Sequence, residues 1–111
     1  MGAFMELTSM EEIDAFINNN TLAFLYVSKP NCSVCHGLLP QVQQLMKKYP
    51  NIHPGHINAD EVEEIAGRFS IFTVPVLLLF VNVIEYIREA RIVHLSLLDE
   101  KINKIYKNLV G

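Results

Sequence analysis

The chain has 111 residues, half of them apolar and under a fifth charged, with a formal net charge of −3. That length suits one domain, residues 1–111, with a real core, and the composition excludes a disordered chain. It also excludes a basic nucleic-acid or anionic-membrane patch, because Lys47–Lys48 and Lys101, Lys104 and Lys107 fall near helix ends or on a helix face.

The start of the chain, Met1 to Glu6, has neither the basic nor the long apolar region of a signal peptide. Gly2 follows Met1, but Glu6 stands where a myristoylation site needs Ser or Thr. Ala3 to Leu7 reads as a short edge strand. Ser9 with Glu12 forms a capping-box pattern, and Ile13, Phe16 and Ile17 mark one face of the helix that follows. Asn18-Asn19-Asn20 ends it, since Asn competes for backbone hydrogen bonds and tolerates left-handed geometry. Thr21 to Ser28 is apolar on both faces, the pattern of a strand buried between two layers.

Lys29-Pro30-Asn31 breaks that strand. A helical stripe then runs through Val34, Leu38, Val42, Leu45 and Met46, with Pro40 expected to kink it. Ile52 to Ala59 reads as a strand, and Asn58 or Asp60 as the cap of a helix over Glu61 to Phe69, with Val62, Ile65 and Ala66 inward. Val74 to Val81 is a second buried strand and the longest apolar run, too short to cross a membrane. Asn82-Val83 marks a turn. Val83 is strained in left-handed geometry, so the turn is expected to be longer than two residues or of another type. Ile84 to Val93 alternates as a hairpin partner. Ser96-Leu97-Leu98-Asp99 resembles a helix cap, and Leu98, Ile102, Ile105, Tyr106 and Leu109 form a terminal amphipathic helix. The order β-α-β-α-β-α-β-β-α predicts an α/β fold with parallel crossovers and an antiparallel closing hairpin. Met5, Met10 and Met46 read as core filler, Phe69, Phe72, Phe80 and Tyr86 as core or strand packing, and Glu61, Glu63 and Glu64 as a solvated face.

The chemistry concentrates in Asn31-Cys32-Ser33-Val34-Cys35-His36, which holds the only two cysteines. Without a secretory signal the expected location is the cytoplasm, where such a pair points to redox catalysis or metal binding rather than a structural staple. At a helix N-terminus, free N–H groups and the helix dipole favour thiolate over thiol. Cys35 lies one turn beyond Cys32 on the same face, so the two sulfurs can join in a small ring that forms and breaks. Cys32 would attack a target disulfide and Cys35 would resolve the mixed disulfide.

A Cys-x-x-Cys pair beside a βαβ pattern is the usual mark of a thioredoxin-like redox domain, and nearly the whole chain resembles the thioredoxin family. Thr73-Val74-Pro75 resembles that family's segment before a buried strand, where a cis proline faces the disulfide. Pro40 matches the proline of its active-site helix, and Asn58-Ala59-Asp60 the end of its third strand. The resemblance implies a thioredoxin fold, a central mixed five-stranded sheet flanked by four helices. It implies a protein-disulfide reductase with Cys32 as nucleophile and Cys35 as resolving thiol. Val74, Pro75, Asn31 and Thr73 would bind an extended substrate segment. The same resemblance implies a monomer with no bound cofactor, reduced by NADPH through a thioredoxin reductase and acting on disulfide-containing proteins.

The chain departs from the family pattern in places. Asn31 stands where the family has Trp, and Ser33-Val34 where it has Gly-Pro. Tyr26 occupies the place of a buried Asp that serves the second cysteine, so His36 and His56 become candidates for proton transfer. Arg91-Ile92 falls where a groove glycine is expected. Other readings of the pair are a non-catalytic binding module of the same fold, a zinc site with His53 or His56, a c-type haem attachment through Cys-x-x-Cys-His, or two cysteines that only pack.

Overall fold

The computed structural model describes residues 4–110. Met1 to Ala3, which include the first residue of the expected edge strand, lie outside the described residues, and Met5–Leu7 of that strand form β1. The elements run β1 (Met5–Leu7), α1 (Met10–Asn19), β2 (Leu22–Ser28), α2 (Ser33–Met46), β3 (His53–Asn58), α3 (Glu64–Phe69), β4 (Val76–Val81), β5 (Ile84–Ala90) and α4 (Leu95–Val110). The five strands form one mixed sheet in the order β1-β3-β2-β4-β5.

The central strands β2 and β4 are buried along their whole length, which explains why both read as unbroken apolar runs. Their alternate side chains feed two separate cores. Leu25, Val27, Leu78 and Phe80 face α1 and α3 through Ile13, Phe16 and Ile65. Phe24, Tyr26, Leu77 and Leu79 face α2 and α4 through Val42, Met46, Leu98 and Ile102. The result is three layers, with helices on both faces of the sheet.

Strand direction differs from the expectation. β1, β3 and β2 are parallel, but β4 runs antiparallel to β2 as well as to β5. Between β3 and β4 the chain runs through residues 59–75, with the six-residue α3 among them, and that connection sends the chain back along the sheet instead of through a parallel crossover. Helix α3 starts later than predicted, at Glu64, and has no side-chain cap. Asn58 instead organises the preceding turn, its Oδ1 accepting from the Asp60 amide at 2.9 Å and its carbonyl from the Glu61 amide at 2.9 Å. Ser70, in left-handed geometry at φ 55°, closes α3.

Caps were partly legible. Ser9 caps α1 by accepting from the Glu12 amide at 3.1 Å. Glu12 reaches back not to Ser9 but to the Thr8 amide, at 2.7 Å. Ser96 and Asp99 are not caps, because α4 begins at Leu95 and contains both. Asp99 instead accepts from Lys48 and from the Tyr49 hydroxyl, tying α4 to the end of α2.

The β4–β5 connection also overturns its expectation. Val81 pairs with Ile84, so the loop is only two residues long, and Asn82 and Val83 both have positive φ, 49° and 64°. That is the left-handed pair a tight primed turn requires. The strand twist imposes the geometry, and Val83 carries the steric strain a β-branched residue meets there. Three apolar side chains assigned to packing are exposed instead: Met5, Phe72 and Tyr86. Tyr86 falls at the irregularity where Leu79 pairs with Ile87 but Phe80 pairs with Glu85, as a β-bulge leaves it.

Candidate active site

β2 leaves the sheet at Ser28, and the chain turns through Lys29–Asn31 into α2. Cys32 is the N-cap of α2, in extended geometry, and its Sγ accepts from the Cys35 amide at 3.2 Å. The two cysteines are bonded to each other as a disulfide, their Cα atoms 5.3 Å apart. Their surroundings differ sharply. Cys32 is half-buried, whereas Cys35 is 1% exposed. One sulfur meets solvent at the head of the helix, and the other faces the interior. Val34, predicted to begin the inward stripe, is 60% exposed beside them, on the outward side of a turn whose inward residue is Cys35.

The Thr73-Val74-Pro75 segment lies at the same end of the sheet. Val27 pairs with Val76, so the strand that delivers the cysteines ends where the strand after Pro75 begins. The Val74–Pro75 bond is cis. Pro75 is buried, Val74 half-buried, and Thr73 and Asn31 exposed. Thr73 and Val74 share a surface hollow with Lys29. The Pro75 carbonyl accepts from the Arg91 amide at 2.8 Å. Arg91 has φ 65°, so it adopts the left-handed geometry for which a glycine was expected there.

Behind the disulfide is a cavity of about 260 Å³, lined by Cys35, Tyr26, Ser28, His36, His56 and Lys29 among others. Tyr26, in place of the expected buried acid, is fully buried and donates its hydroxyl to the Cys35 carbonyl at 2.5 Å. Burial pushes that hydroxyl up to about 12, so it stays protonated across the ordinary pH range and acts as a donor.

The two candidate histidines separate clearly. His36 is exposed, and its Nε2 lies 2.6 Å from the Pro30 carbonyl, bracing the loop ahead of Cys32. A carbonyl only accepts, so that nitrogen carries the proton. His56 is half-buried on β3, with Nε2 2.7 Å from Ser28 Oγ and Nδ1 2.9 Å from both carboxylate oxygens of Glu6. Neither Glu6 nor Ser28 stood out in the sequence. The signal for Ser28 is its position two residues after Tyr26, on the same side of the strand. The signal for Glu6 is the parallel register that sets it opposite His56, which in turn faces Tyr26. His53 lines a different hollow, with Glu6 and Asn19. Among the described residues no three His, Cys, Asp or Glu side chains are grouped to hold a metal, and no helix is long and apolar enough to cross a membrane.

Comparison with known proteins agrees with this geometry. The thioredoxin family model matches residues 4–103. The thioredoxin-like protein YdfQ of Bacillus subtilis is 50% identical over 105 residues, covering 95% of this chain and 94% of that protein. A thioredoxin of Chlamydia pneumoniae is 27% identical over 100 residues, covering 90% of this chain and 97% of its own length. Among solved structures, a variant thioredoxin from Halobacterium salinarum superposes with a TM-score of 0.84 at 20% identity, over 99% of this chain and 96% of the other. A thioredoxin from Trypanosoma brucei brucei gives 0.84 at 14% identity, over 96% and 93%. At those identities the structures speak for the fold alone. The family match and the Bacillus relative, together with a bonded cysteine pair at the head of α2, establish that this chain belongs to the thioredoxin family and is a thiol–disulfide oxidoreductase.

Proposed function

We propose that the chain reduces disulfides in protein substrates, with Cys32 as the attacking thiol and Cys35 as the resolving thiol. The Cys32 thiolate bonds to one sulfur of the substrate disulfide, and the other leaves as a thiolate. Cys35, deprotonated, then bonds to Cys32 and releases the second substrate sulfur, leaving the protein oxidised. The observation that carries this reading is the asymmetry of the pair: the half-buried Cys32 caps α2, and its partner is enclosed. The helix terminus favours thiolate at Cys32, and enclosure keeps Cys35 for the intramolecular step.

Asn31, Thr73, Val74 and Pro75 receive the substrate. Thr73 and Val74 precede the ladder, which begins at Val76, so an extended peptide can pair with their backbone. Electrons reach the protein from NADPH through a thioredoxin reductase, a reading supported only by family membership, and the site of action is the cytoplasm.

The test is a pair of variants in a protein-disulfide reduction assay with insulin. Cys32→Ser abolishes reduction, and Cys35→Ser accumulates covalent mixed disulfides that identify the targets. Wild-type rates from Cys32→Ser would sink the mechanism. A disulfide that no reductase or small dithiol could open would favour the binding-module reading.

A further inference from the structure

The reading above requires a group that takes the proton from Cys35, and the position expected to supply a buried acid holds Tyr26. Tyr26 cannot serve, because its hydroxyl is donated to the Cys35 carbonyl. The same cavity holds a better arrangement. β1, β3 and β2 are parallel neighbours, and their register aligns Glu6, His56 and Tyr26 in one row across the sheet. Ser28, two residues past Tyr26, completes a chain of hydrogen bonds from Glu6 through His56 to Ser28.

The polarity of that chain is fixed at one end. A carboxylate has no proton to donate, so His56 Nδ1–H donates to Glu6. Nε2 is then the lone pair and accepts from the Ser28 hydroxyl. Ser28 Oγ retains acceptor capacity, and both Ser28 and Cys35 line the cavity of about 260 Å³. A bulk water occupies about 30 Å³, so the space admits a short bridge of water between thiol and hydroxyl. The other titratable or charged groups around His56 are Lys29 and His36 on the cavity wall and Tyr26, whose ring stacks on His56 with centroids 6.1 Å apart. None of these lies between Ser28 and His56 Nε2.

We propose that Glu6, His56 and Ser28 form a proton relay that deprotonates Cys35 in the resolving step, with His56 as the acceptor, the Ser28 hydroxyl as the conduit and Glu6 as the positioning residue. This inference rests on the dithiol mechanism proposed above. As Cys35 attacks Cys32, its proton passes through water and the Ser28 hydroxyl to His56 Nε2, leaving an imidazolium paired with Glu6. The Cys32–substrate bond breaks, and the departing substrate thiolate takes a proton from solvent. His56 returns its proton to solvent, and the oxidised pair remains.

Single-turnover reaction of the fully reduced protein with 5,5′-dithiobis(2-nitrobenzoate) separates the steps. The first release of the coloured thiolate reports attack by Cys32, and the second reports resolution by Cys35. His56→Gln should slow the second release about 10²-fold relative to the first, the lower range for a positioned acid–base group. Its pH–rate profile should lose the acid limb that protonation of an imidazole produces. Added imidazole should accelerate the second release in His56→Ala, an effect a purely structural role would not give. Glu6→Gln changes an exposed side chain on the edge strand and decides the matter even if the His56 variants fold poorly. It should slow the second release by a smaller factor. A second release at wild-type rate and pH profile in His56→Gln, or no effect of Glu6→Gln where the His56 variants do not fold, overturns the relay and leaves the oxidoreductase reading standing. Absence of the second release from the wild-type protein would remove that reading and the relay with it.

Discussion

At the residue scale, Tyr26 shows how a substitution for an acid changes the logic of a site. The family resemblance implies a carboxyl behind the second cysteine, and the chain supplies a hydroxyl that stays protonated, held up at about 12 by burial. Its donation to the Cys35 carbonyl is structural. Tyr26→Phe should cost about 0.5–1.5 kcal/mol, the net worth of one hydrogen bond to a carbonyl that α2 also pairs, visible as a lower denaturant midpoint. It should leave the pH profile of resolution unchanged between neutral and mildly alkaline pH, since a hydroxyl titrating near 12 is silent there. A shifted profile would implicate Tyr26 in proton transfer. Gly55 offers a second test. A Cβ at this position would lie 2.7 Å from Leu7 Cδ1 and 3.2 Å from the Phe16 ring. Gly55→Ala should destabilise by about 1–3 kcal/mol through overpacking, measured by thermal melting. The two cysteines and Pro75 were legible because each is a rare residue at a diagnostic spacing. Ser28 and Glu6 were not, because common polar residues gain meaning only from cross-strand register.

At the element scale, the β4–β5 turn and the α2–α4 contact are the informative places. Val83 sits in left-handed geometry that favours glycine. Val83→Gly should therefore raise stability by about 1 kcal/mol, or several degrees in melting temperature; a fall would mean that the strain is smaller than the entropy a glycine adds to the unfolded chain. Local preference argues against a two-residue turn at Val83, and the twist of the two paired strands overrides it. Helix α4 is held to α2 by Asp99, whose carboxyl is kept below its usual range first by the hydrogen bond from Lys48 and then by that from Tyr49. A carboxyl lowered in the folded state stabilises the fold above its unfolded value and loses that contribution as pH falls through the folded one. Asp99→Asn should thus lower stability near neutrality by roughly 0.5–1 kcal/mol for this partly exposed pair, read as a lower melting temperature. The gap to wild type should close below about pH 3.9, the ordinary Asp value. A constant gap across pH would assign the effect to packing. The cap mistaken at Ser96 has the same root, since a Ser followed by an acid reads as a cap until a distant partner claims the acid.

At the scale of the whole molecule, the sheet is graded from centre to edge. β2 and β4 are buried along their length, whereas β1 and β5 are largely exposed. Amides of β2 and β4 should be the last to exchange with deuterium, and those of β1 and β5 should exchange earlier; uniform protection across the sheet would contradict this grading. The three-layer fold was legible because apolar runs buried on both faces leave few alternatives. The direction of β4 was not, since reversal depends on the path of one short connection. The same grading sets the active site where firm and yielding parts meet, with the cysteine loop anchored on the most protected strand and the relay's carboxylate on an exposed one. The enclosure of Cys35 has a kinetic consequence. A mixed disulfide on Cys32 is closed by a tethered neighbour at very high effective concentration, while small thiols in solution are kept from the inner sulfur. The lifetime of the covalent intermediate is then set inside the molecule, while the pace of re-reduction is set by the external electron donor.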